Sequence, residues 1–178
     1  MVINIYTDGA CSGNQNENNV GGWGTILEAG DNKKELYGGS SNTTNNIMEL
    51  TAVLEGLKAL KSLNHQINVY SDSAYIVNCF NQKWYVKWQT NGWKTSQKKP
   101  VENKELWEQI IHYVHKANTV NFYKVKGHLD LEKKSEVNKW YTKYAKAYGS
   151  IPMDRFEYLI KMNHRADELA NVGMDQYR

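Results

Sequence analysis

The apolar residues of this chain change their spacing along its length, and that change limits the fold more than any other feature. Residues 2–7 alternate like a half-buried strand. Between Asn46 and Leu63, the residues Leu50, Val53, Leu54, Leu57, Leu60 and Leu63 instead follow helical spacing. Trp23 to Glu28 and Glu35 to Tyr37 read as two more strands, with Gly21-Gly22 and Gly30-Asp31-Asn32 as turns. The first three strands are therefore expected to form an antiparallel meander. The cluster Asn42 to Asn46 suits a loop and a helix N-cap. Ile67 to Ser71 and Val120 to Lys126 read as strands. Ser73 to Phe80 and Val101 to Ala117 read as helices, the second through Leu106, Trp107, Ile110, Ile111 and Val114. The order of elements predicts an α/β fold with a mixed sheet.

After Gly127 the pattern changes. Val137, Trp140, Tyr141, Tyr144 and Tyr148 share one helical face, and Gly149-Ser150-Ile151-Pro152 breaks it. Phe156, Leu159 and Ile160 suggest a second short helix, and Arg165 to Met174 a last one.

Composition narrows the class. A chain of 178 residues has room for one ordinary domain, taken here as residues 1–178. With 40% apolar and 23% charged residues it does not read as disordered. Mean hydropathy is −0.71, and no apolar run approaches the roughly 20 residues of a membrane span. Met1 to Tyr6 lacks the basic and apolar regions of a signal peptide. Cys11 and Cys79 make neither a disulfide scaffold nor a zinc site. A reducing cytoplasm, no membrane and a monomer are the expectations.

The net charge of +3 is unevenly spread. Lys83, Lys87, Lys94, Lys98, Lys99 and Lys104 lie within 83–104, against one acid, Glu102. A local basic patch on a near-neutral chain points to a polyanion met at one face. Only three of the 22 basic residues are arginine. Lysine is a point charge on phosphate, whereas arginine is favoured for reading bases, so contact with a backbone is expected.

Four acids stand out. Asp8 follows the first strand, Glu49 lies about one turn into the first long helix, Asp72 ends the fourth strand, and Asp167 is expected to open the final helix. Each has an ordinary explanation as a turn, solvated or helix-dipole residue. Neighbouring first and fourth strands would place Asp8 and Asp72 at one edge. Convergent carboxylates cannot all stay ionised without cations, and hard divalent ions take oxygen ligands.

The words around these acids decide between the readings. They include Tyr6-Thr7-Asp8-Gly9 with Gly13-Asn14, Gly21-Gly22-Trp23-Gly24, Thr44-Asn45-Asn46 with Met48-Glu49-Leu50, and Ser71-Asp72-Ser73-Ala74-Tyr75. Gly92-Trp93-Lys94-Thr95, Lys98-Lys99-Pro100-Val101, Leu106-Trp107, Val125-Lys126-Gly127-His128 and Ala166-Asp167-Glu168-Leu169-Ala170 follow. In this order, over residues 1–128 and 163–175, the chain closely resembles type 1 ribonuclease H of the bacterial kind.

The resemblance implies a ribonuclease H-like fold, a five-stranded mixed sheet flanked by helices. It implies endonucleolytic hydrolysis of the RNA strand of RNA–DNA hybrids, leaving 5′-phosphate and 3′-hydroxyl ends. Asp8, Glu49, Asp72 and Asp167 match the family's metal-binding acids, which hold two Mg²⁺ ions, with Mn²⁺ able to substitute. His128 matches a catalytic histidine on a mobile loop. Asn14, Asn45 and Asn46 match positions that touch RNA 2′-hydroxyls. Thr44 and Asn78 match positions around a DNA phosphate, although Asn42 stands where some relatives carry arginine. Trp84, Trp88 and Trp93, with Lys94, Lys98 and Lys99, resemble the basic protrusion that grips the DNA strand. Helical spacing also allows Trp84 and Trp88 to be core residues, while Trp93 is expected to be more exposed. Asn163 and His164 lie within one turn of Asp167.

The departure from the family pattern is residues 129–163, read as a helical insertion. Two readings stay open: a hairpin packed on the domain, or a surface whose Lys133, Lys134, Lys139, Lys143 and Lys146 extend hybrid binding and restrain His128. With the first strand starting at residue 2, no preceding hybrid-binding domain is expected. A related DNA-processing nuclease, and a module that holds hybrids or double-stranded RNA without cutting, remain as rival functions.

Overall fold

The structure, a computed structural model, describes residues 1–13 and 19–178. Its elements in chain order are β1 (Val2–Ser12), β2 (Val20–Ala29), β3 (Asn32–Ser41), α1 (Asn45–Lys58), β4 (Gln66–Ser71), α2 (Ala74–Asn81), α3 (Trp84–Thr90), α4 (Lys104–Lys116), β5 (Thr119–Lys124), α5 (Lys134–Tyr148) and α6 (Met153–Asp175). The sheet has five strands in the order β3-β2-β1-β4-β5. The first three form the antiparallel meander, and β4 and β5 add in parallel.

Strand alternation sends side chains to two cores. Ile3, Ile5, Ile67, Val69 and Phe122 pack with Leu50, Val53, Leu54 and Leu57 of α1 and Trp107, Ile110 and Ile111 of α4. Tyr6, Ile26 and Tyr70 pack on the other face with Val137 and Tyr144 of α5 and Phe156, Leu159, Ile160 and Leu169 of α6. Each fully buried aliphatic side chain contributes about 1.5–3 kcal/mol. Tyr6, Tyr70 and Tyr123 stack across three adjacent strands, with ring centroids 5.2 and 5.0 Å apart. No helix among the described residues is long and apolar enough to cross a membrane.

Apart from the ends of α4 and β5, which fall within three residues of those expected, the elements depart from the sequence reading in three places. Gly21-Gly22 is not a turn but lies inside β2. Its neighbours explain the glycines: a Cβ on Gly22 would lie 1.9 Å from the Ala170 carbonyl oxygen, and one on Gly24 would lie 2.2 Å from that of Ala166. Helix α6 thus rests directly on the backbone of β2.

The second departure concerns the end of the chain. Phe156 to Ile160 and Arg165 to Met174 belong to one helix of 23 residues, so Asp167 lies within α6 and does not open it. Buried Phe156, Leu159, Ile160, Asn163, Ala166, Leu169 and Ala170 form a single stripe. Polar Asn163-His164-Arg165 interrupts the apolar pattern but not the backbone. The third departure is in the strands and α1. Strand β1 runs on through Asp8 to Ser12, and β3 spans Asn32–Ser41, where exposed polar residues mute the alternation. Helix α1 ends at Lys58, and Leu60 and Leu63 pack on the core from the loop beyond it.

The first half of α6 is tied to the sheet through Glu28. Its carboxylate accepts hydrogen bonds from the Tyr6 hydroxyl at 2.8 Å, Asn4 Nδ2 at 3.0 Å and the Tyr158 hydroxyl. Arg155 Nη2 donates to Tyr6 Oη at 3.3 Å. Burial acts to raise the Glu28 pKa, but the bonds from Tyr158, Tyr6 and Asn4 outweigh it and hold the carboxylate below its ordinary range. Segment 129–163 is therefore built into the second core through α5 and the start of α6.

Candidate active site

Register brings the first two acids together. Tyr6 pairs with Tyr70 across the parallel β1–β4 ladder, so Asp8 and Asp72 both stand two residues further on, where β4 leaves the sheet. The carboxyl end of parallel strands is the usual place for a site in such sheets. Glu49 comes from the first turns of α1. Thr44 caps that helix by accepting from Ile47 N at 3.1 Å. The Gly9 N–H donates to Glu49 Oε1 at 2.5 Å and joins α1 to β1 beside Asp8.

Oxygens of Asp8, Glu49 and Asp72 all lie within 4.8 Å of one another. Asp8 and Glu49 are buried, at 3% and 7% exposure. Burial raises the pKa of all three carboxyls. The charges of Glu49 and Asp72, then contact with Glu49 and Asp167, push Asp8 further up. Asp167, half-buried on α6, stands next to this trio but outside its tightest cluster. Such a group cannot be fully ionised at neutral pH without a counter-cation.

The donors fit a hard divalent ion. Glu49 Oε2 is buried without a hydrogen-bond partner among the described residues, so its lone pairs are free for an ion. The clustered donors Asp8, Glu49 and Asp72 all offer carboxylate oxygens, the ligand type preferred by Mg²⁺ and Mn²⁺.

The other expected site residues surround this centre unevenly. His128 is exposed on the loop after β5 with φ +55, and its charge acts on Asp72. Thr44, Asn45 and Asn46 are exposed at the start of α1, and Asn78 is half-buried on α2. Asn14 lies outside the described residues. Asn163 is buried one turn before Asp167, with Nδ2 unpartnered among the described residues.

Trp84, Trp88 and Trp93 are all partly buried and pack against the first core, so Trp93 is not the exposed member expected. Trp88 contacts Trp93 at 5.8 Å and buried Trp107 at 5.5 Å, and Trp107 Nε1 donates to the Tyr75 hydroxyl at 3.0 Å. The row of indoles roots the 91–100 loop in the core, and Lys94, Lys98 and Lys99 project from it into solvent. The tryptophans thus support the basic surface more than they form it.

Sequence reasoning missed the glycines as parts of this site. Gly9 abuts the α1 backbone, where a Cβ would lie 2.5 Å from Glu49 N. Gly127 abuts Asp72, where a Cβ would lie 2.4 Å from Oδ2. The signal was present in Asp8-Gly9 and Gly127-His128, but only the neighbouring acid and histidine carried an obvious chemistry.

Comparison with known proteins places this geometry. The family model described as RNase H matches residues 1–175. A ribonuclease H of Clostridium botulinum (strain Hall) is 44% identical over 173 residues, covering 97% of this chain and 95% of its own. That alignment runs across 129–163. A ribonuclease H of Thermoanaerobacter sp. (strain X514) is 52% identical over 131 residues, covering 74% of this chain and 81% of its own. Among solved structures, LC9-RNase H1, a type 1 RNase H with the type 2 active-site motif, superposes with TM-score 0.72 at 24% identity, covering 99% of this chain and 74% of that one. LC11-RNase H1, solved in complex with RNA/DNA hybrid, superposes with TM-score 0.59 at 21% identity, covering 98% and 97%. The sequence match over nearly the whole chain and the shared fold agree, and the chain belongs to the ribonuclease H family.

Proposed function

We propose that this chain hydrolyses the RNA strand of RNA–DNA hybrids at the carboxylate centre of Asp8, Glu49, Asp72 and Asp167. The observation that carries this reading is the buried Asp8–Glu49–Asp72 cluster with the unpartnered Glu49 Oε2, in a member of the ribonuclease H family. LC11-RNase H1, which shares the fold, binds a hybrid in its crystal structure. The four acids would hold two Mg²⁺ ions, or Mn²⁺ in their place. When bound, these ions supply Lewis-acid stabilisation of an in-line phosphoryl displacement.

The chain's own residues set the rest. The register of β1 on β4 and the Gly9–Glu49 bond orient the carboxylates before substrate arrives, so little reorganisation is needed during reaction. His128, exposed on the loop after β5, would move a proton between the reacting phosphate and solvent, a role supported by its charge acting on Asp72. Asn45 and Asn46 at the open end of α1, with Asn14, would meet the 2′-hydroxyls of RNA. Thr44 and Asn78, and the protrusion of Trp84, Trp88, Trp93, Lys94, Lys98 and Lys99, would hold the DNA backbone. The products carry 5′-phosphate and 3′-hydroxyl ends. Residues 1–178 act as one domain and as a monomer in the cytoplasm, a setting that suits the free thiols Cys11 and Cys79.

A cleavage assay on one labelled duplex tests this reading. The duplex is made as RNA–DNA, RNA–RNA and DNA–DNA, with Mg²⁺, Mn²⁺ or EDTA, for wild type and Asp72→Asn. Cutting of the hybrid's RNA alone, lost in EDTA and in Asp72→Asn, is expected. Cutting of DNA duplexes, or binding without cutting in either metal, overturns it.

A further inference from the structure

Helix α5 brings a second basic surface to the side of the carboxylate centre. Four lysine ammoniums surround the ring of Trp140: Lys143 at 4.2 Å, Lys126 at 5.0 Å, Lys139 at 5.4 Å and Lys124 at 5.9 Å from its centroid. They come from the end of β5, the loop after it and two successive turns of α5, so only the docking of α5 assembles them. Lys139 and Lys143 stand four residues apart, an unfavourable like-charge spacing on a helix. None of the four makes an ion pair among the described residues. The indole offsets part of the repulsion by cation–π attraction, but it supplies no negative charge.

The surface is continuous with the centre. An open hollow beside Trp140 is lined by Lys126, His128, Lys133, Asp130 and Glu136, the last two being its only acids. A smaller hollow of about 210 Å³ lies behind Trp140, against Lys124, Lys126 and Lys143. The charges of Lys124 and His128 both act on Asp72. This patch is separate from the 83–104 protrusion, which stands on α3 and its following loop.

We propose that Lys124, Lys126, Lys139 and Lys143, arrayed on Trp140, form a second grip on the phosphate backbone of the hybrid, flanking the cut on the His128 side. The inference rests on the hybrid reading above and adds a binding surface to it. Lysines spread around one indole give point charges without a bidentate fork, which suits successive backbone phosphates and not base edges. The occupant is the duplex itself, because the patch adjoins, through Lys124 and His128 near Asp72, the centre where its scissile phosphate would lie.

The test compares wild type with Lys126→Gln/Lys139→Gln/Lys143→Gln, leaving Lys124 at the end of β5 in place. Steady-state cleavage of a labelled hybrid is measured between about 50 and 200 mM salt. KM is expected to rise about tenfold or more at the lower salt, with kcat within about twofold. The salt slope of log(kcat/KM) should become shallower by roughly two to three, near one for each phosphate that is no longer neutralised. Arginine at the same three positions should restore both. The charge-matched control Lys58→Gln/Lys61→Gln/Lys116→Gln, at the far end of the sheet, should leave them unchanged.

Unchanged KM and slope in the α5 triple overturn the proposal, as does an equal loss in the control. A wild type that cuts no hybrid overturns the functional reading instead. Fluorescence anisotropy on the uncut hybrid then decides the patch alone: weaker binding by the triple supports it, and equal binding removes it.

Discussion

A Cβ on Gly127 would lie 2.4 Å from Asp72 Oδ2, so the loop carrying His128 and the acid just after β4 meet with no room for a methyl group. Gly127→Ala must move either the loop or the carboxylate. Displacing a positioned group by a fraction of an ångström to an ångström costs up to about 10²-fold in rate. We expect hybrid cleavage to fall about 10- to 100-fold with Tm nearly unchanged. Wild-type kcat in Gly127→Ala would show that the Asp72 position is not critical.

The carboxylate cluster makes the metal-free protein sensitive to alkali. Burial, and then mutual repulsion for Asp8 and Glu49, raise the folded pKa values of Asp8, Glu49 and Asp72 above their unfolded values near 4. Above that pH the unfolded chain ionises while the folded one retains protons, so stability falls as pH rises. In EDTA, Tm should drop between pH 5 and 8, and Mg²⁺ should restore it. Asp8→Asn removes one of the repelling charges. It should raise the metal-free Tm at pH 8 by roughly 2–6 °C while abolishing cleavage. Thermal melts with and without Mg²⁺ check both; a lower Tm in Asp8→Asn would contradict the account.

Glu28 has the opposite pH dependence. Its folded pKa is lowered, so its contribution is present above the unfolded value near 4.3 and is lost as pH falls through the folded one. Glu28→Ala leaves the hydroxyls of Tyr6 and Tyr158 and the amide of Asn4 without their acceptor. Urea unfolding at pH 7 should show a loss of about 2–4 kcal/mol. The loss should shrink as pH falls below the ordinary carboxylate range and through the lowered folded pKa of Glu28, where the wild-type carboxylate takes up its proton.

The contact of α6 with β2 depends on two absent side chains. Gly24→Ala would place a Cβ 2.2 Å from the Ala166 carbonyl oxygen, one residue before Asp167. The helix must lift, at a cost of about 2–4 kcal/mol, and cleavage should fall with it. Gly30→Ala is the contrast. That turn glycine has φ +60 and nothing within 4 Å, so about 1 kcal/mol and unchanged kcat are expected. Paired denaturation and rate measurements on the two variants separate close approach from turn strain.

Much of the site was legible before folding was considered. Asp8-Gly9, Met48-Glu49, Asp72-Ser73 and Ala166-Asp167 are local words, and the alternation around Ile5 and the helical spacing around Leu54 are local periods. By themselves these determined the family and the layered α/β architecture and singled out the four acids. They failed where a residue's role depends on what approaches it from elsewhere in the chain. Gly21-Gly22 resembles a turn until α6 is laid across it, and Asn163-His164-Arg165 resembles a break until the stripe on either side meets one sheet. Trp93 resembles a surface residue until Trp88 packs against it and Trp107 packs edge-on against Trp88. Lys124, Lys126, Lys139 and Lys143 are scattered along the sequence and meet only over Trp140. Sequence periodicity records which way a side chain faces within its own element. The pairing register of β1 with β4, the seating of α6 on bare glycine backbone and the docking of α5 were decided by tertiary packing, because backbone approach and charge convergence are properties of two segments at once.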